Sequence, residues 1–325
     1  MRRFRRTAAL ALAGLLTALT AGCGGSASGG TTTLVLGDQV KGLQTLLDAS
    51  GVLEDTPYEV DWAQFQGAAP LFEAVKAGSV DTAIAADLPT LQAISGGVPV
   101  TGVAALRSTG ESVAVVTQPG SPVRDVADLE GKDVVVSSAK GSIAEYLLVR
   151  ALADVGLSYS DVNVRYLLPT DAQAAFSSGQ IDVWATFGVY GVKALDGGAR
   201  SLVTGEDGRT SGIGLLSAAT ASLDDPAKRE AIADLLTRIE RAYAWSREHR
   251  GDYVTAFAET NRVDEATAAT LVDQGNDRLE PIGPEVVDAV QEVSDTMTDV
   301  GSLPSGVDVA SSVETSLYPG PAGQS

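Results

Sequence analysis

From residue 33 onward, short aliphatic runs alternate with stretches whose apolar positions recur at helical spacing. Leu34, Val35 and Leu36 form the first run, which ends at Gly37-Asp38-Gln39; Leu43, Leu46 and Leu47 then fall three and four apart, as on one face of a helix. The same reading predicts strands over 58–65, 82–86, 98–106 and 112–117, a short helix over 69–77 and another following Asp87-Leu88-Pro89. The turn-rich string Gln118-Pro119-Gly120-Ser121-Pro122 marks a crossing point. A second block follows, with strands at 133–137, 162–167, 182–187, 201–204 and 213–218 and helices at 142–155 and 171–178. Beyond Asp224 the pattern is helical only. Asp225-Pro226 opens a helix to about residue 250 with Ile232, Leu235, Leu236, Ile239 and Tyr243 on one face, and two or three more occupy 264–301. Strands alternating with helices predict an α/β fold with mostly parallel sheets.

A short internal echo divides this pattern into equivalent halves. Glu73-Ala74-Val75-Lys76-Ala77-Gly78-Ser79-Val80-Asp81 is matched by Ala174-Ala175-Phe176-Ser177-Ser178-Gly179-Gln180-Ile181-Asp182. In both, a helix ends at a glycine suited to a left-handed cap, and an aliphatic-Asp pair launches a buried strand. Asp87 and Gly188 then become equivalent points at the carboxyl ends of strands, where open α/β sheets bind ligands.

Composition narrows the function classes. The 325 residues carry a formal charge of −19, one Cys and one His. An acidic chain lacks the basic patches that nucleic acids require. One Cys and one His exclude a multi-cysteine or multi-histidine metal site, so neither metal nor cofactor is expected. His249 ends a helix, where a cation is favoured electrostatically, and carries no assigned chemistry. A non-enzymatic role is the expectation.

The first residues read as a processing segment. Four arginines precede an apolar run over 8–21, then Gly22-Cys23. This is the pattern of a signal peptide over 1–22, with an apolar stretch shorter than the roughly 20 residues a membrane span needs. Leu19-Thr20-Ala21-Gly22-Cys23 resembles the lipobox of bacterial lipoproteins, which implies lipid attachment at Cys23 and a Gly/Ser-rich tether over 23–33. Removing the four arginines leaves 19 basic against 42 acidic residues, a formal −23 for the exported body. The expected location is the extracytoplasmic face of the cell membrane.

Three strings carry a wider resemblance: Leu71-Phe72-Glu73-Ala74-Val75-Lys76-Ala77-Gly78, Gly120-Ser121-Pro122-Val123-Arg124-Asp125-Val126-Ala127-Asp128-Leu129-Glu130-Gly131-Lys132 and Tyr146-Leu147-Leu148-Val149-Arg150-Ala151-Leu152. In this order they resemble the solute-binding proteins of ABC importers for aliphatic sulfonates, taurine and nitrate. The resemblance implies a two-lobed type II periplasmic-binding-protein fold with a ligand cleft between lobes. Residues 34–117 plus 213–325 would form lobe 1 and residues 118–212 lobe 2. It also implies a small-molecule ligand, an ABC permease as partner and a monomer that closes by hinge motion. The alternatives are an enzyme on the same scaffold, similar to thiamine-pyrimidine-synthesis proteins, and a ligand-sensing module for a membrane partner.

Carried over position by position, the resemblance places Gln39, Asp87 with Leu88, Arg107, Gly141, Ser142, Phe187, Gly188 and Tyr190 at the ligand. Each has a plainer reading. Gln39 suits a solvated turn, Asp87 a cap for the helix starting at Pro89, and Arg107 the surface. Ser142 and Glu145 have the spacing of a capping box, whose carboxylate would repel an anion at the same helix end. The family's Trp-Asp-Pro-Tyr-like segment is Phe187-Gly188-Val189-Tyr190 here. It lacks the acid that meets the amine in taurine-like receptors. The expected ligand is sulfonate-like with a sizeable apolar part.

Overall fold

In the computed structural model, which describes residues 31–320, the first apolar run is strand β1 (Thr33–Gln39), and Leu43, Leu46 and Leu47 are buried along helix α1 (Gly42–Ser50). Strand β2 (Glu59–Phe65), helix α2 (Ala68–Lys76), strand β3 (Thr82–Ala86), helix α3 (Asp87–Ser95) and strand β4 (Val100–Arg107) complete the first block. The second comprises β5 (Val113–Thr117), β6 (Asp133–Ser137), α4 (Ile143–Asp154), β7 (Asn163–Leu167), α5 (Pro169–Ser177), β8 (Val183–Phe187), α6 (Gly188–Asp196) and β9 (Arg200–Thr204). The chain continues through β10 (Ile213–Ala219), α7 (Thr220–Asp224), α8 (Pro226–Glu248), α9 (Arg250–Asn261), α10 (Glu265–Gln274), β11 (Arg278–Glu280) and α11 (Pro284–Asp299). The expected leader, Cys23 and most of the tether lie outside the described residues.

The strands form two sheets, ordered β11-β4-β10-β3-β1-β2 and β7-β6-β8-β5-β9. Both are mixed, which corrects the expectation of mostly parallel order. Strand β10 runs antiparallel to β3 and β4, and β5 runs antiparallel to β8 and β9. Both antiparallel strands are buried along their whole length, so they read as continuous apolar runs of the kind expected in parallel sheets. Strand β11 corrects the helices-only reading beyond Asp224. Its one buried residue, Leu279, gave no periodicity to detect, and the strand exists by pairing with the edge of β4.

The echo is structural. Setting β11 aside, each sheet has the same order of strands, with β10 and β5 as the equivalent antiparallel members. Gly78 and Gly179 end their helices at φ of 73° and 72°, closing matched backbone hydrogen bonds from Gly78 to Val75 and from Gly179 to Phe176. Because β5 lies in the second sheet, the chain crosses over at 108–112 rather than at 118–122, and it returns at 205–212. The two crossings lie against each other: Ser108 N–H donates to the Gly212 carbonyl at 2.8 Å. A Cβ on Gly110 would meet the Gly205 carbonyl oxygen at 2.6 Å and collide with Thr210. Glycine is therefore required for the two strands of the connection to touch.

One apolar cluster joins the two sheets' helical layers. Leu88 and Leu91 of α3 pack with Tyr146 and Val149 of α4 and with Val290, Val293 and Met297 of α11. Among the described residues no helix is long and apolar enough to cross a membrane.

Candidate ligand cleft

Parallel pairing brings strand ends together. In the first sheet Gln39 is in register with Phe65, and β3 ends at Ala86 beside them; in the second, Ser137 is in register with Leu167 and β8 ends at Phe187. Segments just beyond these ends from both sheets line one cavity of about 700 Å³. That volume lies within the range of about 300–1,000 Å³ typical of small-molecule sites, and its place beyond strand carboxyl ends is where α/β sheets bind ligands.

Six helices begin at these ends, and their amides are not equally free. At α1, the Asp38 carboxylate accepts from the amides of Gln39 (2.7 Å), Leu43 (3.3 Å) and Gln44 (2.9 Å). At α3, Asp87 accepts from Leu88 N–H at 2.6 Å. At α4, Ser142 accepts from Glu145 N–H at 3.3 Å, and the Glu145 carboxylate accepts from Gly141 N–H at 2.6 Å. These three ends already hold a carboxylate of their own and electrostatically disfavour a second anion. Helices α2 and α6 have no side-chain cap. Gly67 precedes α2 at φ 106°, and a Cβ there would stand 3.2 Å from the Ser138 hydroxyl of the opposite sheet. The start of α2 thus lies beside the Ser138 side chain across the cleft.

Charge inside the cleft is sparse. Of the charged lining residues, Glu73, Lys76 and Lys140 are exposed, and the Lys140 ammonium donates to the Gly301 carbonyl at 2.8 Å. Asp38 is buried, and loss of solvation raises its carboxyl above the usual value despite its three amide donors.

The structure brings together six of the positions singled out by sequence: Gln39, Gly141, Ser142, Phe187, Gly188 and Tyr190 line the cavity. Gln39 is anchored by donating its amide to the Ile84 carbonyl at 2.8 Å, and Phe187 meets Tyr190 edge to face at 6.5 Å. Asp87, Leu88 and Arg107 do not line it. Leu88 is fully buried in the joining cluster. Arg107 pairs with Glu280 at 2.5 Å, a partner supplied by the unforeseen strand β11. Asp87 is fully buried as the first residue of α3, one turn-start earlier than the helix expected from Pro89, and it accepts from the Ser211 hydroxyl of the return crossing. Burial raises its carboxyl to about 6. In this geometry it ties the return crossing to the end of β3.

Among the lining residues that sequence reasoning passed over are Ser138 and two further groups. The α2 entrance, Gly67 to Ala69, carries no polar side chain and so no chemical signature. The others come from the C-terminal helices: Tyr243 of α8, Tyr253 and Phe257 of α9, and Leu271 and Val272 of α10. Tyr243 fell on the apolar face of α8 and read as core, which it also is. His249 stacks on Trp245 at 5.3 Å, away from the cleft. Among the described residues no cluster of His, Cys, Asp and Glu is arranged to hold a metal.

Comparison with known proteins agrees with this architecture. A sequence profile described as NMT1/THI5 like matches residues 54–251. A protein of Escherichia coli strain K12 named for binding aliphatic sulfonates is 29% identical over 305 residues, covering 92% of this chain and 93% of that protein. The alkanesulfonate-binding protein SsuA from Xanthomonas axonopodis pv. citri, solved bound to MOPS, superposes with a TM-score of 0.80 at 28% identity, over 87% of this chain and 98% of that one. The desulfurization enzyme DSZB shares the fold alone, with a TM-score of 0.65 at 16% identity over 88% and 97% of the two chains. The chain belongs to the NMT1/THI5-like family and is a solute-binding component of an ABC importer with the type II periplasmic-binding-protein fold.

Proposed function

We propose that the protein captures an organic sulfonate with a sizeable apolar part, closes its two lobes around it and presents it to an ABC permease. The observation that carries this reading is the α2 entrance, which has no side-chain cap and lies beside Ser138 in a cleft with otherwise largely apolar walls. A sulfonate spreads one charge over three acceptor oxygens. Neutral amides and hydroxyls at a helix N-terminus suit it without a paired cation. Two of the similar proteins are named for sulfonates. The ligand is then contacted from the second lobe by Ser138, Phe187, Gly188 and Tyr190, and from the first by Gln39 and the α2 amides.

The lobes in this reading are the first sheet with the C-terminal helices and the second sheet with its helices, hinged at 108–112 and 205–212. Cys23 carries a lipid that holds the monomer at the extracytoplasmic face, and residues 23–33 form its tether. The enzyme alternative would have to work without a Cys or a cleft His: residues 31–320 contain no Cys, and their one His stacks on Trp245.

A thermal-shift panel of alkanesulfonates, nitrate, amino acids and heterocyclic amines tests the reading. Stabilisation by sulfonates is expected, amounting to about 2.7 kcal/mol when ligand is at about one hundred times its Kd. Stabilisation confined to uncharged or cationic compounds would overturn it.

A further inference from the structure

A second cavity, of about 490 Å³, adjoins the ligand cleft at its mouth, on the flank where Gln66 and Thr170 meet. Val40, Val189, Tyr190 and Asn261 line both cavities. The charged lining of the second is all of one sign. Lys41 follows β1 of the first sheet, Arg262 ends α9, and Lys193 lies on α6, which follows β8 of the second sheet. No carboxylate lines this cavity, in a chain with 42 acidic and 23 basic residues. Among the described residues, none of the three cations pairs with a carboxylate.

Local preference does not account for the set. Lys193 and Arg262 stand near helix C-termini, where a cation is favoured, but Lys41 opens α1, where it is disfavoured. Backbone conformation points the same way. Val40, Lys41 and Arg262 have φ of 50°, 56° and 53°, and they are three of the five described non-glycine residues in the left-handed region. Glycine takes that conformation freely, whereas an L side chain strains it. At 41 and 262 the chain therefore keeps a cation where glycine would be less strained. Strain retained in this way gathers at functional sites. Gln64 helps to hold it, its Oε1 accepting from Lys41 N–H at 3.0 Å.

We propose that Lys41, Lys193 and Arg262 form a second binding site, outside the ligand cleft, for a multivalent oxyanion of the phosphate or sulfate class. Such an anion offers several acceptor oxygens to several charged donors at once, which chloride does not. It meets Lys193 from one side and Lys41 and Arg262 from the other, and so offsets the repulsion among three like charges. Occupancy ties α6 to the ends of β1 and α9 and favours approach of the two sheets at this flank. The site needs nothing in the cleft and stands apart from the sulfonate reading.

The test is isothermal titration of the purified protein, without sulfonate, at an ionic strength fixed with sodium chloride. Pyrophosphate, inorganic phosphate and sulfate are the probes, and the last two separate the possible sources of the anion. One saturable site is expected, tightest for pyrophosphate. Lys193→Gln and Arg262→Gly should each weaken pyrophosphate by about threefold or more. Without anion, Arg262→Gly should melt no lower than the parent, because glycine relieves the backbone. A purely structural arginine would not give loss of binding without loss of stability. If Arg262→Gly does not fold, the exposed Lys193→Gln decides alone. No saturable binding of any of the three anions overturns the proposal. Binding that neither variant weakens overturns it too, because the anion then sits elsewhere.

Discussion

Asp87 is a carboxyl that the protein holds out of water beside the return crossing. Burial raises it to about 6, against a value near 4 in an unfolded chain, while hydrogen bonds from Ser211 and the Leu88 amide act the other way. Between about pH 4 and 6 the folded state therefore keeps a proton that the unfolded state has released. The cost of this group is absent below pH 4, grows through that window and is complete above pH 6. Its size is on the order of 2–3 kcal/mol. Asp87→Asn preserves the shape and removes the ionisation. Melting temperatures should show the variant equal to the parent near pH 4 and at least as stable at pH 7.5; a deficit growing with pH would contradict this. Asp38, also raised by burial, keeps some of the slope in the variant. The sequence marked Asp87 as special from its position after a predicted strand. It did not show whether the carboxylate faces the cleft or the hinge, because that depends on Ser211, which lies 124 residues away.

At the scale of elements, α4 is held by a polar hub. The buried Glu145 carboxylate accepts from Gly141 N–H at 2.6 Å, from the hydroxyls of Tyr159 (2.7 Å) and Tyr166 (2.8 Å), and from Ser302 (2.8 Å) in the segment after α11. Glu145→Ala would remove the acceptor shared by four donors, leaving the buried Gly141 amide and Ser302 hydroxyl unpaired while the half-buried Tyr159 and Tyr166 hydroxyls keep each other at 3.1 Å, and should cost on the order of 3 kcal/mol in urea unfolding. Ser302→Ala removes one donor and should cost about 1 kcal/mol. Equal effects of the two changes would show that the hub does not act as a unit. The Ser142 cap was legible in the spacing, although the Glu145 carboxylate takes the Gly141 amide rather than closing a capping box on Ser142; the two tyrosines and Ser302 were not legible, since no local pattern announces a long-range partner. Strand positions were legible for the same reason in reverse: apolar runs bounded by glycines mark β1, β3, β6 and β8 directly. The direction of β5 and β10 was hidden because both are buried on each face, and the aromatic wall of the cleft was hidden because Tyr243 on the apolar face of α8 has the spacing of a core residue.

At the scale of the molecule, the flank formed by α3, α4 and α11 shares one buried cluster across the two sheets, reinforced by Glu145 to Ser302, Lys140 to the Gly301 carbonyl and Arg150 to Glu292 at 2.6 Å. Prising that flank apart would expose a full apolar core, so opening is expected on the opposite flank. There, Gln66 and Thr170 touch through a single 3.4 Å hydrogen bond and α6 rests on α10. The acidic balance of the chain, a formal −19, adds no steering for an anion, so capture must rely on local donors and on closure.

If a sulfonate closes the lobes by pivoting on the α3–α4–α11 flank, distances across the two flanks report it. Spin labels at positions 66 and 170 are compared with a pair at 150 and 292 by pulsed electron paramagnetic resonance, with hexanesulfonate or hexylamine added. The expected result is a shorter and narrower 66–170 distance with the sulfonate alone, and an unchanged 150–292 distance throughout. Closure by the amine instead, or a 66–170 distance that no sulfonate alters, would contradict it.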